Sequence, residues 1–187
     1  MHNRAARRSM EADFLYLEDE VVKLRALEPE DLELLYTIEN DTTLWQKGCT
    51  DVPYSRYALK QYIASQPADF YEQRQLRLLI VRKCDGKALG LIDLTSYEPQ
   101  HARAEVGIVV LASERGQGYA QRALCLLERY VAEIFRLRLL YAHVSQMHNE
   151  PCRNLFLAAG YQEVAVLPDW ERRGENFFPV SIFLKKI

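Results

Sequence analysis

No stretch of the chain reaches the roughly 18 consecutive apolar residues that a membrane-spanning helix requires, so no membrane is expected as a partner. A basic excess is missing too: 24 Lys and Arg stand against 26 Asp and Glu, a formal net charge of −2. Domains that grip a phosphate backbone carry a cationic surplus, so a nucleic-acid partner is not expected either. Cysteine is sparse. Cys49, Cys84, Cys125 and Cys152 form no C-x-x-C pair and sit at no zinc-like spacing with histidine. Reduced thiols and no metal are the expectation. The N-terminal stretch M-H-N-R-A-A-R-R-S-M is basic, but no apolar segment of a secretory signal follows it. A cytoplasmic protein is expected, with a mobile tail over residues 1–12 and a single domain over 13–187. The 187 residues are 49% hydrophobic, which suffices for one folded core.

The patterning predicts alternating strands and helices. Strands are expected over 13–17 and 21–25. Pro29 at a first helical position, with Glu30 and Asp31 in the first turn, predicts a helix with Leu32, Leu35, Tyr36 and Ile38 on its apolar face. Ser55 is placed to cap a second helix over 55–65. The apolar run 76–81 reads as a strand buried on both faces. Asp85-Gly86 then predicts a hairpin to a strand over 88–95, followed by a third strand over 102–111. A long amphipathic helix is expected over 117–135, then a strand over 139–145. A helix over 151–159 has Pro151 at its start and Gly160 just beyond its end. Strands over 161–167 and 177–184 close the chain.

One segment carries chemistry. The strand ending V-G-I-V-V-L runs into Arg115-Gly116-Gln117-Gly118-Tyr119-Ala120, and this turn opens the long helix. Small residues allow close backbone approach, and a first helical turn has N–H groups without intrahelical acceptors. Such a turn suits a pyrophosphate. By itself it is also compatible with a purely structural turn. The ending G-K-[ST] of a P-loop is absent, and the glycine spacing fails the dinucleotide fingerprint. A nucleotide enzyme is therefore a weak rival.

The string R-G-Q-G-Y-A resembles the R/Q-x-x-G-x-G/A motif of the Gcn5-related N-acetyltransferases, with Arg115, Gly118 and Ala120 in its defined places. Downstream, the segment from Asn149 to Tyr161, N-E-P-C-R-N-L-F-L-A-A-G-Y, resembles that family's N-x-x-[AS]-x-x-L-[YF]-x-x-x-G-[FY] stretch. The opening L-R-A-L-E-P-E-D-L-E-L-L is similar to the ribosomal-protein and spermidine acetyltransferase branch. The resemblance spans nearly everything from Val21 onward. It implies an α/β (α+β) domain whose mixed, mainly antiparallel sheet splays between its fourth and fifth strands, here 102–111 and 139–145, with helices on both faces. It implies acetyl-CoA as cosubstrate. The pantetheine arm would bond main-chain groups of Ile108, Val109 and Val110, the pyrophosphate would sit on Arg115 to Ala120, and Asn149 would contact the arm. Arg122 would reach a phosphate, unless it belongs to a solvated face with Arg129 and Arg136. Members of the family are often oligomers, so a homo-oligomer is a possibility.

The family's reaction is direct transfer: an acceptor amine loses a proton, attacks the thioester carbonyl, and CoA leaves as a thiol. A base is needed, and a general acid near the sulfur helps. Glu105, inside an apolar run just before the cofactor stretch, is the candidate base and an attraction for a cation; a structural ion pair with Arg103 is the competing role. Asp93 is a second candidate. For the acid, many members carry a tyrosine where this chain has Phe156. Cys152, one turn after Asn149, is the thiol nearest that role, against a plain packing role. Tyr141 and His143 share a strand face and are expected to pack or hydrogen-bond in the core.

The acceptor is a small-molecule amine or a peptide amine. The acidic residues Glu28, Glu30, Asp31, Glu33, Glu39, Asp41 and Asp51 face a single Lys47 between residues 28 and 51. An acidic wall steers polyamines. A helix N-terminus explains Glu30, Asp31 and Glu33 but not Glu39 or Asp41, which are taken as substrate-binding with Asp93 and Glu105. Trp45, Tyr54 and Tyr57 would cover an alkyl chain or simply pack. A protein N-terminus or ribosomal protein is the alternative acceptor. A non-catalytic acyl-CoA sensor is the rival class, favoured by Phe156.

Overall fold

In the computed structural model, residues 17–45, 52–65, 70–147 and 149–187 are described. The tail and most of the first expected strand lie outside them. So do Lys47, Cys49, Asp51 and the side chain of Trp45.

Seven strands form one sheet in the order β1-β2-β3-β4-β5-β7-β6. They are β1 (Val22–Arg25), β2 (Leu76–Arg82), β3 (Ala88–Glu98), β4 (Arg103–Val110), β5 (Leu139–Ser145), β6 (Gln162–Arg173) and β7 (Asn176–Lys186). Every pairing is antiparallel except β4 with β5. The helices longer than one turn are α1 (Leu32–Glu39), α2 (Arg56–Ala64), α3 (Tyr119–Ile134) and α4 (Glu150–Ala158).

The helices cover both faces, and β2 shows why. Its apolar run alternates between two cores: Leu78 and Ile80 pack with Leu124, Leu127 and Val131 of α3, whereas Leu79 and Val81 pack with Leu35 and Ile38 of α1 and Leu59 and Ile63 of α2. A strand buried on both sides has no polar face to show. Two N-terminal devices set α1 and α2. Glu28 and Asp31 close a capping box ahead of α1, with Pro29 in a preceding 3₁₀ turn. The Ser55 hydroxyl accepts from the Ala58 N–H at 3.1 Å at the start of α2.

The last hairpin departs from expectation. The expected strand ends at residue 167, yet β6 extends to Arg173, pairing Glu171 with Phe178 and Arg172 with Phe177. The register breaks between Leu167 and Glu171, where Asp169 takes a φ of 51°. A bulge resumes the ladder beyond a proline, which periodicity alone does not reveal.

The central feature is the junction of β4 and β5. Their parallel pairing covers only Arg103 with Leu139, Ala104 with Leu140 and Glu105 with Tyr141. Beyond Glu105 the strands part, while β4 stays paired to β3 as far as Val110 with Gly90. The split expected between these two strands is present.

Candidate active site

A cavity of about 600 Å³ occupies this split. Its floor is the open edge of β4, where Val106 to Val110 have a partner on the β3 side and none on the β5 side among the described pairings. A strand edge of free N–H and C=O groups is a template for an extended ligand arm.

One mouth is built by the glycine turn. Gly118 is the N-cap of α3 with φ 78°, and Gly116 has φ 76°. Both take left-handed backbone that L side chains disfavour, and a Cβ at either would meet no atom within 4 Å. Those two spaces open onto the cavity, which Arg115, Gly116, Gly118, Tyr119, Ala120 and Gln121 help to line. No side chain caps α3, so its first-turn N–H groups face the cavity mouth with the dipole's positive end. This is a fit for a phosphate-bearing cosubstrate. Arg115 is held beside it, donating from Nε to the Val110 carbonyl at 2.9 Å.

Sequence reasoning missed what fixes this mouth. Glu114 is buried beneath the turn and accepts from Lys87 Nζ at 2.6 Å and Arg82 Nη1 at 3.1 Å. The Lys87 ammonium holds its carboxyl below the usual carboxylate range. Arg82 also reaches the Tyr119 hydroxyl at 3.3 Å and clasps Asp85 through two bonds. The β2–β3 hairpin is thus tied to the start of α3. No role is read for Glu114 in the sequence, and its partners are some 30 residues away.

Another part of the cavity wall is acidic. Glu39, from the end of α1, and Asp93, from β3, both line it, and so does Arg77 of β2. Arg77 donates to Glu39 at 2.5 Å and to Asp93 at 2.8 and 2.9 Å. Among the described residues, two carboxylates and one guanidinium meet there. Asp31, Glu33 and Asp41 are engaged within the fold. Asp31 pairs with Arg25 at 2.6 Å, and Glu33 pairs with Arg56 at 2.8 Å. Asp41 accepts from the Thr43 hydroxyl at 2.7 Å and is not part of the cavity wall. Tyr54 and Tyr57 are exposed and do not line the cavity.

The middle holds the remaining candidates. Asn149, Pro151, Cys152, Leu155 and Phe156 line one wall from α4. Phe156 is 2% exposed and packs against Tyr161 and Phe183, with ring centroids 4.9 and 6.0 Å away. Glu105 is not buried as expected, its side chain being 26% exposed, and it is not on the cavity wall. It pairs with His143, which is on that wall, and Arg103 pairs with Glu98 instead. Two further expected positions fall outside the lining. Gln117 is exposed and outside the lining, whereas Gln121 lines the wall. Arg122 donates to Asp19 at 2.9 Å, one helical face away, where it anchors the segment before β1.

An open strand edge in a split sheet, with a glycine turn at a helix N-terminus and acidic residues lining the same cavity, is the site of an acyl-transferring enzyme fold. The chain belongs to the family described as the acetyltransferase (GNAT) domain, whose profile matches residues 22–162, and it is an acetyltransferase. It is similar to spermidine N(1)-acetyltransferase of Escherichia coli (strain K12), with 29% identity over 143 residues covering 75% of this chain and 72% of that one. Spermidine N-acetyltransferase from Vibrio cholerae, in complex with CoA and spermine, superposes with a TM-score of 0.78 at 21% identity, over 90% of this chain and 96% of that one. Ribosomal L7/L12 alpha-N-protein acetyltransferase in complex with coenzyme A does so with a TM-score of 0.76 at 16% identity, over 90% and 96%. At these identities the two structures speak for the fold.

Proposed function

We propose that the protein transfers the acetyl group of acetyl-CoA to the primary amine of a small cationic acceptor, polyamines foremost. One observation carries the reading. A single cavity joins the cradle of Gly116, Gly118 and the α3 N-terminus to the mouth formed by Glu39, Asp93 and Arg77. The donor's pyrophosphate belongs on the cradle, its pantetheine arm along Ile108 to Val110, and Asn149 lies where it can meet that arm. The thioester supplies the electrophile. The carboxylates of Glu39 and Asp93 favour a cationic amine, and Ile38 and Leu44 on the cavity wall suit an alkyl chain. The polyamine relatives from Escherichia coli and Vibrio cholerae support that class.

The chain's own residues then divide the work. The strand edge and the cradle fix the donor, the acidic mouth orients the ammonium, and proximity of the two supplies much of the rate. The test is CoA release with spermidine, spermine, putrescine, N-terminal peptides and aminoglycosides. Turnover with the polyamines at the highest kcat/KM supports the reading. Turnover with peptides alone would move the acceptor to a protein N-terminus. Binding of acetyl-CoA without turnover on any amine would make the protein a sensor.

A further inference from the structure

The Glu105 carboxylate meets the His143 ring where β4 and β5 part, with Oε1 2.7 Å from Nδ1. The last register pair of the junction, Glu105 with Tyr141, lies at the same level. The split that makes the cavity therefore begins at this contact. An ionised carboxylate only accepts hydrogen bonds, so Nδ1 carries the proton and donates. A neutral imidazole has one N–H, which leaves Nε2 with a free electron pair. Of the two residues, His143 is on the cavity wall and Glu105 is not.

Resting on the acetyltransferase reading, we propose that His143 is the catalytic base that takes the proton from the acceptor ammonium, and that Glu105 is a positioning residue. Glu105 fixes the tautomer, holds the ring plane, and stabilises the imidazolium once it forms. In the step, the acceptor N–H bond breaks and an Nε2–H bond forms. The electron pair stays on the acceptor nitrogen and makes it a nucleophile. The His143 side chain is 33% exposed, so the proton then passes to water.

Two other carboxylates of the cavity wall and the neighbouring phenol are engaged. Glu39 and Asp93 both accept from Arg77. Tyr141 packs edge-on against the His143 ring at 5.7 Å. Burial and the neighbouring Glu105 carboxylate push its phenol up, so it stays protonated at neutral pH and is no base.

The experiment compares the full chain with His143→Ala, His143→Gln, Glu105→Gln and Glu105→Asp on the best wild-type acceptor. Each is assayed by CoA release with and without added imidazole, and acetyl-CoA affinity is measured by calorimetry. Loss of His143 should lower kcat about 100-fold with donor affinity unchanged, the low end for a general base. Imidazole should restore part of the rate to His143→Ala and none to Glu105→Gln. Glu105→Asp should retain more activity than Glu105→Gln. Should His143→Ala fail to fold, His143→Gln, which keeps a polar group beside Glu105, reads the same loss. Wild-type kcat in either folded histidine variant would overturn the assignment. So would a deeper loss in Glu105→Gln than in His143→Ala without rescue by imidazole, which would return the base to Glu105. A wild-type protein inert towards every amine would instead sink the acetyltransferase reading and is distinct from both.

Discussion

Arg77 and Asp93 face each other across β2 and β3, joined by two parallel hydrogen bonds of 2.8 and 2.9 Å. The same guanidinium reaches Glu39 on α1, so one cation holds a helix, a strand and half of the acceptor mouth together. Its side chain is only 18% exposed. Removing it takes from Glu39 and Asp93, both mostly buried, the guanidinium that bonds them. Arg77→Ala should cost about 3 kcal/mol of stability, the low end for breaking a buried pair. Arg77→Lys should recover part of this but not all, since an ammonium has no fork to match the carboxylate. Urea unfolding of the two variants against wild type measures both.

Acid should loosen the cradle before it unfolds the sheet. The hydrogen bonds from Arg82 pull the Asp85 carboxyl down to about 2, and Lys87 holds Glu114 below its ordinary value. A carboxyl whose folded value is depressed contributes stability that is complete above its unfolded value. That contribution is lost as pH falls through the folded value. The melting temperature should therefore drop as pH falls from about 4.5 towards about 2, the window set by those lowered carboxyls. Lys87→Met should flatten the upper part of that drop. Calorimetric scans across the range check the slope.

The β4 edge depends on one glycine opposite it. A Cβ at Gly90 would collide with the carbonyl oxygen of Val109 on the neighbouring strand. The obstacle is backbone and has no rotamer to yield. Gly90→Ala should cost about 3 kcal/mol by overpacking, or roughly 10 °C in melting temperature for a chain of this length. It should also weaken acetyl-CoA binding, since Val109 is part of the open edge. Thermal melts with and without acetyl-CoA separate the two effects.

Gly118 behaves in the opposite way. Its Cβ would meet no protein atom, so the fold pays only for the left-handed backbone, about 1 kcal/mol. The added methyl points into the space assigned to the pyrophosphate. Gly118→Ala should raise the acetyl-CoA Kd about tenfold, or about 1.4 kcal/mol, with kcat nearly unchanged at saturating donor. An unaltered Kd would place the phosphates elsewhere.

Much of the fold was legible because its signals are local. Alternation, the Asp-Gly turn, Ser55 and the Pro151–Gly160 asymmetry each report on a few neighbouring residues. The cradle was legible for the same reason, as a strand, a glycine turn and a helix in immediate succession. The acceptor end was not. Asp41 looked like a site acid but caps its own turn, and Arg122 looked like a phosphate ligand but ties down Asp19. Arg77 sits in a strand whose neighbours are nearly all apolar and gave no sign that it would bond both Glu39 and Asp93. Pairings between residues 16 to 103 positions apart are set by the sheet order, which no window of sequence contains.

Phe156 offers the sharpest test of the departing sulfur. It lines the cavity opposite β4 and is clamped between Tyr161 and Phe183, so its ring plane is fixed. Replacing it with tyrosine adds one hydroxyl to a ring already held in place. With the donor arm along β4 as proposed, that hydroxyl would give the leaving thiolate a proton donor the chain lacks at this position. If sulfur departure limits turnover, Phe156→Tyr should raise kcat about tenfold, a modest yield for an acid that was placed but not tuned. The added polar atom should cost about 1 kcal/mol of stability where it finds no partner in the free enzyme. Cys152→Ala, made alone and in the Phe156→Tyr background, completes the cycle. If the thiol serves as the acid, its loss should cut kcat in the wild-type background and matter little once the tyrosine is present. If Cys152 only packs, the two variants should act independently, and steady-state CoA release reads the difference directly.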